Sequence, residues 1–197
     1  MKLVLASGSS ARAEMLQRAG IAATIDPADV DEAAIKRVCL ERGETVEDTA
    51  LALAEAKAHA VAKRHPAALV LGADQMLECG GRWFDKPGDE DQAADQLRAL
   101  SGRTHRLVSG AVIISRDRPV WQATSTAKLT VRALSDDFIR TYSEAMGAAL
   151  LISVGAYQIE GLGAQLFSAI EGDLFTIMGL PLLPLLDFLR REGMLAT

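Results

Sequence analysis

A run of small, hydroxylated residues and one arginine lies where the first apolar segment of the chain ends. The stretch LVLASGSSARAEML carries Arg12 in the first turn of a predicted helix, directly after Ser7, Gly8, Ser9 and Ser10. Backbone N–H groups and the helix dipole attract an anion at such a junction, and arginine can bind phosphate through two parallel hydrogen bonds. The pattern predicts a phosphate site. The alternative is that Ser9 or Ser10 only caps the helix and that Arg12 is a solvated charge.

A second candidate is Asp74, which follows the apolar segment AALVLGA. In α/β sheets, ligands bind at the edge formed by the carboxyl ends of the strands. A carboxylate at that edge can hold a metal ion or take a proton from water. The competing interpretation is an aspartate that hydrogen-bonds to its own turn.

One lysine is a candidate cation for a phosphate group, and a second is noted for its position. Lys86 precedes the proline of DKPGD, and an X-Pro turn holds its first residue in a stiff, extended conformation. Lys57 lies within the alanine-rich segment EDTALALAEAKAHAVAKR. Taken alone, each lysine would more often be an ordinary exposed residue.

Further carboxylates occur in two polar segments. The segment DPADVDEAAI is predicted to be an acidic loop, in which Asp29, Asp31 and Glu32 could hold Mg²⁺ through oxygen ligands or could simply be solvated. Glu160 stands in GAYQIEGLG between apolar and glycine residues. Because glycines allow the backbone to approach a ligand closely, Glu160 is interpreted as part of the wall of a site.

Composition limits the class of protein. The chain has 197 residues, of which 49% are hydrophobic and 24% charged, which suits one domain or two closely packed lobes. Its net charge of −5 argues against a general nucleic-acid surface. The sequence predicts neither a membrane span nor a signal peptide. The distant Cys39 and Cys79 favour reduced thiols of a cytoplasmic protein over a disulfide.

Apolar patterning predicts strands that alternate with helices. Strands are predicted at 2–6, 21–25 and 67–77, and as a hairpin at 104–115 and 120–134. Helices are predicted at 10–19, 47–64, 90–100 and 135–146, and in the segment PLLPLLDFLRREG. This alternation, together with the hairpin, indicates an α/β or α+β fold with a mixed sheet.

Taken in order, these pieces resemble the Maf family of nucleoside triphosphate pyrophosphatases over nearly the full length of the chain. Seven motifs carry the resemblance: LASGSSARAEML, the pair Asp31 and Glu32, LALAEAKA, GADQ, DKP, LSGRTH, and IEGLG followed by IEGDLFTIMGLPL. The resemblance implies a single domain over residues 1–197, with two lobes in one structural unit. The implied fold is the α/β architecture that Maf proteins share with inosine triphosphatases. It has a long, mixed, twisted sheet flanked by helices and a cleft between the two lobes.

The resemblance also implies roles for individual residues. Asp74 would be the catalytic carboxylate, acting as general base or metal ligand, and Glu160 would lie beside the reacting phosphates. Glu32 would act with Asp74 in holding a divalent metal, Mg²⁺ or Mn²⁺. The residues implied to bind the triphosphate are Ser7, Arg12, Lys57 and Lys86.

The implied reaction is hydrolysis between the α- and β-phosphates of a modified or non-canonical nucleotide. It gives a nucleoside monophosphate and pyrophosphate, in a housecleaning role in the cytoplasm. Two alternatives stay open: a non-catalytic, nucleotide-binding regulator of septum formation and cell division, and a phosphatase that removes only the terminal phosphate. The family resemblance implies a homodimer, whereas neither a nucleic acid nor a membrane is an expected partner.

The chain departs from the family pattern at four positions. Ser10 stands in place of a proline, Ala11 in place of the first of two arginines, and Asp85 in place of a glycine. Glu160 stands where many members have glutamine. The change at Ala11 removes one phosphate-binding cation. Gln75 and Glu160 together resemble the branch that prefers 7-methyl-GTP, whereas the dTTP and UTP branch more often has threonine and glutamine there. The base preference, with CTP as a further candidate, is left open.

Overall fold

Seven strands form one mixed sheet in the computed structural model, which describes residues 2–196. The strands are β1 (Leu3–Leu5), β2 (Ala23–Ile25), β3 (Leu69–Cys79), β4 (Arg82–Phe84), β5 (Thr104–Ser115), β6 (Arg118–Val131) and β7 (Phe167–Glu171). Six follow the order β2-β1-β3-β5-β6-β7, and β4 pairs with β3 outside that path. β1 is parallel to both of its neighbours, whereas β4 and β7 pair antiparallel with β3 and β6. The predicted α/β class with a mixed sheet is confirmed.

The described residues also form seven α-helices. They are α1 (Ser10–Arg18), α2 (Glu32–Glu41), α3 (Val46–Ala62), α4 (Glu90–Leu100), α5 (Asp136–Met146), α6 (Leu174–Ile177) and α7 (Leu182–Arg191). Five begin at a side-chain cap that accepts a hydrogen bond from a backbone N–H of the first turn, namely at Ser9, Asp31, Thr45, Asp89 and Ser135. The helices predicted from the sequence correspond to α1, α3, α4, α5 and α7.

The segment 26–35 is not wholly an acidic loop, and that prediction is wrong from residue 31 onward. The Asp31 side chain accepts a hydrogen bond from Ala34 N at 2.9 Å and so caps α2. Aspartate is as typical of an N-cap as of a loop, so the acidic composition concealed the start of a helix. As a result, Glu32 is the first residue of α2 rather than part of an irregular loop.

The contacts between backbone atoms divide the chain into two compact units. The first contains residues 2–75, 108–125 and 174–196, and the second contains residues 76–107 and 126–173. Strands β3, β5 and β6 each contribute residues to both units. The single domain over residues 1–197 and the cleft between two lobes stay predictions.

In the first unit, alternating residues of the strands build two apolar layers on opposite faces of the sheet. One layer combines strand residues with α1 and α7 and includes Leu3, Leu5, Leu69, Leu71, Leu16, Leu185 and Phe188. The other combines strand residues with α3 and includes Val4, Val70, Val112, Ala54, Ala58 and Val61. Even-numbered residues of β3 therefore face α3, and odd-numbered residues face the opposite layer.

Two glycines allow α3 to lie directly on the sheet. A Cβ atom at Gly72 of β3 would overlap the carbonyl oxygen of Ala54 and would lie 2.8 Å from Ala58 N. At Gly110 of β5, it would lie 2.8 Å from the Ala50 carbonyl oxygen. Any larger residue would therefore push α3 away from the strands, together with the polar side chain that α3 carries at Lys57.

The second unit contains an aromatic cluster around a buried histidine. The rings of Tyr157 and Phe167 meet edge to face with their centroids 4.9 Å apart. His105 Nε2 lies 2.6 Å from Tyr157 Oη, and Tyr142 Oη donates to the Ala156 carbonyl at 3.2 Å. These contacts hold the start of the glycine-punctuated segment that follows β6 and α5.

Cys39 and Cys79 are both buried and both free thiols. Burial raises the pKa of each thiol, because an apolar surrounding disfavours the thiolate.

Among residues 2–196, no helix combines the length and the apolar character needed to cross a membrane.

Candidate active site

One lysine ammonium joins two carboxylates in the first unit. Lys57 Nζ on α3 lies 2.5 Å from Asp74 Oδ1 on β3 and 2.7 Å from Glu32 Oε1 on α2. The side chains of Lys57 and Asp74 are only 11% and 9% exposed, whereas that of Glu32 is 45% exposed. The Lys57–Asp74 pair is therefore shielded from water, and the contact with Glu32 is partly screened. Lys57 is therefore not an exposed surface lysine, and the Asp74 side chain does more than hydrogen-bond to its own turn.

Local structure explains why these side chains meet. Thr45 begins α3 through a reciprocal capping box with Asp48, and the alanine-rich face of the helix then lies on the sheet. The alternation of β3 directs Asp74 to the same face, where Lys57 meets it. Because α2 begins at Glu32, that carboxylate lies at a helix N-terminus, where the dipole favours negative charge.

Arg12 is buried and is held by two side-chain hydrogen bonds. Its Nε donates to the Gly179 carbonyl at 2.7 Å, and its Nη1 donates to Ser7 Oγ at 3.0 Å. Ser9 caps the same helix and accepts a hydrogen bond from Arg12 N at 3.4 Å. The serine is therefore an N-cap, as one interpretation of the sequence held, but the arginine is not a solvated charge.

The surroundings of Arg12 tie it electrostatically to the two carboxylates. Burial lowers the pKa of Arg12, because loss of water disfavours the charged guanidinium, while the carboxylates of Asp74 and Glu32 oppose this shift. Arginine nonetheless stays charged at neutral pH. Arg12, Glu32, Lys57 and Asp74 form a mixed-charge group, called the charged cluster below.

Several polar groups that follow or hold residues of the charged cluster were not predicted as site residues. Gln75 Nε2 donates to the carbonyl oxygens of Thr176 and Ile177, both at 2.9 Å. Ser109 Oγ also donates to the Thr176 carbonyl, at 2.8 Å, and the Gly179 carbonyl holds Arg12. The motif IEGDLFTIMGLPL was the only sequence signal for this segment. Its contacts use backbone carbonyls, which any residue type supplies.

Two predicted site residues, Lys86 and Glu160, belong to the second unit. Lys86 is exposed in the turn between β4 and α4, and Glu160 is exposed in a turn that precedes β7. Their roles in phosphate binding and catalysis stay predictions that rest on the motifs DKP and IEGLG.

The donor set of Glu32 and Asp74 fits a magnesium or manganese ion. Each residue presents one carboxylate oxygen to Lys57 Nζ, and carboxylate oxygens are the ligands that these ions prefer. Across residues 2–196, no group of three or more His, Cys, Asp or Glu side chains could hold an ion. A metal at Glu32 and Asp74 would therefore take its other ligands from phosphate oxygens and water, as Mg²⁺ commonly does at nucleotide sites.

The protein has an α/β fold. One of its units contains both the buried Arg12, in the first turn of α1, and the Lys57–Asp74 pair. The chain belongs to the family of Maf-like proteins, whose sequence model matches residues 2–192. It is similar to a nucleoside triphosphate pyrophosphatase of Paramagnetospirillum magneticum, with 54% identity over 96% of this chain and 98% of that protein. It is also similar to a 7-methyl-GTP pyrophosphatase of Mesorhizobium japonicum, with 52% identity over 98% of this chain and 96% of that protein. The family predicted from the motifs is confirmed.

A solved structure supports the same fold. The solved structure is a nucleoside-triphosphatase, or dITP/XTP pyrophosphatase, of Mycobacterium abscessus. The match covers 98% of this chain and 98% of that chain, with a TM-score of 0.50. Its sequence identity to this chain is 19%. At that level the likeness concerns the fold alone, and it agrees with the predicted α/β architecture.

Proposed function

We propose that this protein hydrolyses nucleoside triphosphates between the α- and β-phosphates, releasing a nucleoside monophosphate and pyrophosphate. The observation that carries the proposal is the buried pair of Lys57 and Asp74, which shares one unit with Glu32 and the buried Arg12. Relatives with about half of their residues identical, matched over nearly their whole length, bear the names of pyrophosphatases. These names favour an enzyme over a non-catalytic regulator of septum formation.

The residues of the charged cluster suit the demands of this reaction. A triphosphate is a polyanion, and water attacks it only when its charge is offset by fixed cations. Arg12 and Lys57 supply such cations from buried positions, where they are less screened than at a surface. Ser7 Oγ accepts a hydrogen bond from Arg12, so its own O–H can donate to a phosphate oxygen.

Asp74 is the proposed general base. Its Oδ1 accepts a hydrogen bond from Lys57 at 2.5 Å, which holds the carboxylate in one orientation. An ionised carboxylate so held can accept a proton from the attacking water. Glu32 and Asp74 are the proposed ligands of the divalent metal, which when bound would neutralise charge on the phosphates.

Other parts of the proposal rest on the sequence. Lys86 is proposed as a further phosphate-binding cation and Glu160 as a carboxylate beside the reacting phosphates, both from their motifs. The substrate proposed first is 7-methyl-GTP, because Gln75 and Glu160 resemble that branch and some relatives carry that name. A cytoplasmic location is supported by the free thiols Cys39 and Cys79, and a homodimer is proposed from the family alone.

The identity of the products tests the proposal. Purified protein is incubated with 7-methyl-GTP, dTTP, UTP and CTP in turn, with Mg²⁺ and with Mn²⁺, and the products are separated by ion exchange. We expect a monophosphate and pyrophosphate in equal amounts, with no diphosphate intermediate. A diphosphate with free phosphate would identify a terminal phosphatase, and binding without turnover would identify a regulator.

A substitution ties the activity to this site. Asp74→Asn removes the base while keeping the shape of the side chain, and we expect its pyrophosphate release to fall by about 10²-fold or more. The matched control is Asp187→Asn on α7, where the side chain is 66% exposed, and it should retain full activity. Equal activity of both variants would exclude the assigned role of Asp74.

A further inference from the structure

Gln75 makes contacts that its place in the sequence does not explain. It follows Asp74 on β3, so the two side chains leave opposite faces of the strand. Asp74 meets Lys57 on one face, whereas the Gln75 amide meets the end of α6 on the other. Gln75 therefore points away from the carboxylate–lysine pair and towards a backbone segment.

The groups that Gln75 binds are helix-terminal carbonyls. The last carbonyls of a helix have no partner within the helix and need one from elsewhere. Gln75 Nε2 is such a partner for Ile177, and at Thr176 it adds a second donor to the Gly179 N–H; these are the last two residues of α6. Ser109 Oγ adds a third donor to the Thr176 carbonyl. Together these bonds attach the end of α6 to strands β3 and β5.

The same helix end presents the carbonyl that orients Arg12. Gly179 N donates to Thr176 O at 3.1 Å, and Leu180 N donates to Phe175 O at 3.0 Å. With a φ of +97° at Gly179, this pattern is a Schellman motif, which turns the chain sharply after the helix. The Gly179 carbonyl then accepts from Arg12 Nε at 2.7 Å.

We propose that Gln75 is a positioning residue for Arg12, acting through the backbone turn at the end of α6. The amide fixes the Thr176 and Ile177 carbonyls on β3, the Schellman turn transmits that position to the Gly179 carbonyl, and this carbonyl orients the guanidinium. The inference rests on the proposed phosphate-binding role of Arg12. It assigns to Gln75, the residue after the catalytic carboxylate, an action on phosphate affinity.

The test measures binding of inorganic tripolyphosphate by calorimetry in the absence of metal, which requires no turnover. Gln75→Met keeps the length of the side chain and removes both N–H donors, and we expect it to weaken tripolyphosphate binding by about tenfold. In an Arg12→Met background, the same change should weaken binding less than about twofold, because residues acting as one unit are not additive. Gln122→Met on β6, where the glutamine is exposed, is the matched control and should bind as the unchanged protein does.

A second readout follows Arg12 directly. The NMR resonance of the Arg12 Nε–H group reports its hydrogen bond to Gly179, and we expect it to shift in Gln75→Met but not in Gln122→Met. If Gln75→Met does not fold, Gln75→Asn tests the same point, because it keeps the amide but withdraws it by one methylene group.

The outcomes separate the inference from the proposed function. Unchanged tripolyphosphate affinity in Gln75→Met, or an equal loss in both backgrounds, would overturn the positioning role alone. If Arg12→Met bound tripolyphosphate as tightly as the unchanged protein, the phosphate role of Arg12 and the positioning role would both be overturned. Coupled losses in a protein that released no pyrophosphate would support the positioning role and contradict the proposed hydrolysis.

Discussion

Protonation of His105 should make this protein lose stability in mild acid. The imidazole is 1% exposed, and its Nε2 lies 2.6 Å from the phenol oxygen of Tyr157. Burial lowers the pKa of His105 to about 4, because the charged ring would lose its hydration. Burial also raises the pKa of Tyr157 well above its ordinary value, so the phenol remains neutral. Folding therefore favours the neutral histidine.

The size of the effect follows from linkage between protonation and folding. In the unfolded chain a histidine has a pKa of about 6.5, so the unfolded state takes up a proton at higher pH than the folded state does. The contribution of His105 to stability is complete well above pH 6.5, and it declines as the pH falls toward 4. Taking the folded pKa as about 4, the loss between pH 7 and pH 5 is about 2 kcal/mol, and the full loss is about 3 kcal/mol.

The assay compares urea unfolding at pH 7 and pH 5 for the unchanged protein and for His105→Gln. Glutamine can still hydrogen-bond to Tyr157 but does not titrate, so its stability should fall by about 2 kcal/mol less between these pH values. His59→Gln, at a histidine side chain that is 35% exposed, controls for the substitution itself. Equal losses in the unchanged protein and in His105→Gln, or an NMR titration of His105 near pH 6.5, would refute the reasoning.

Three further predictions concern the charged cluster and its support. Lys57→Met should lower kcat/KM by about 100-fold or more, because a buried cation is lost. Lys63→Met, at the exposed lysine that follows α3, is the control and should have no effect in the same assay. Gly72→Ala should reduce the free energy of unfolding by about 1–3 kcal/mol in urea, since its Cβ would overlap α3, and Gly88→Ala should change it by less than about 0.5 kcal/mol. Glu32→Gln should raise the Mg²⁺ concentration needed for half-maximal activity, measured by metal titration, and an unchanged requirement would exclude Glu32 as a ligand.

The sequence allowed much of the site to be predicted where residue type itself carries the chemistry. Ser7, Arg12 and Asp74 were selected because hydroxyl, cationic and carboxylate groups follow apolar segments, whereas Lys57 was selected through the family resemblance. Asp74 was expected at the end of a strand, and that expectation is wrong, because β3 continues to Cys79. The structure brings Lys57 together with Asp74, and Arg12 together with Ser7. The order of the motifs predicted the family, and the alternation of strands and helices predicted the α/β class.

Features that depend on local competition were less predictable. The acidic segment before α2 was expected to be a loop, because aspartate is common both in loops and at helix N-caps. Only the Asp31 cap, with its 2.9 Å hydrogen bond from Ala34 N, decides between the two. The strands β4 and β7 were also missed, because neither lies in a continuous apolar segment of the kind that predicted β1.

The amino-acid sequence by itself determined the chemical groups, their order along the chain and the family to which the chain belongs. Tertiary structure alone decided that Lys57 is buried between two carboxylates, and that the Gly179 carbonyl, 167 residues away in the chain, holds Arg12. The physical reason is that burial and backbone hydrogen bonds depend on which segments pack together. Every residue type has the same backbone carbonyl group, so the sequence does not show which carbonyl will accept a hydrogen bond from Arg12.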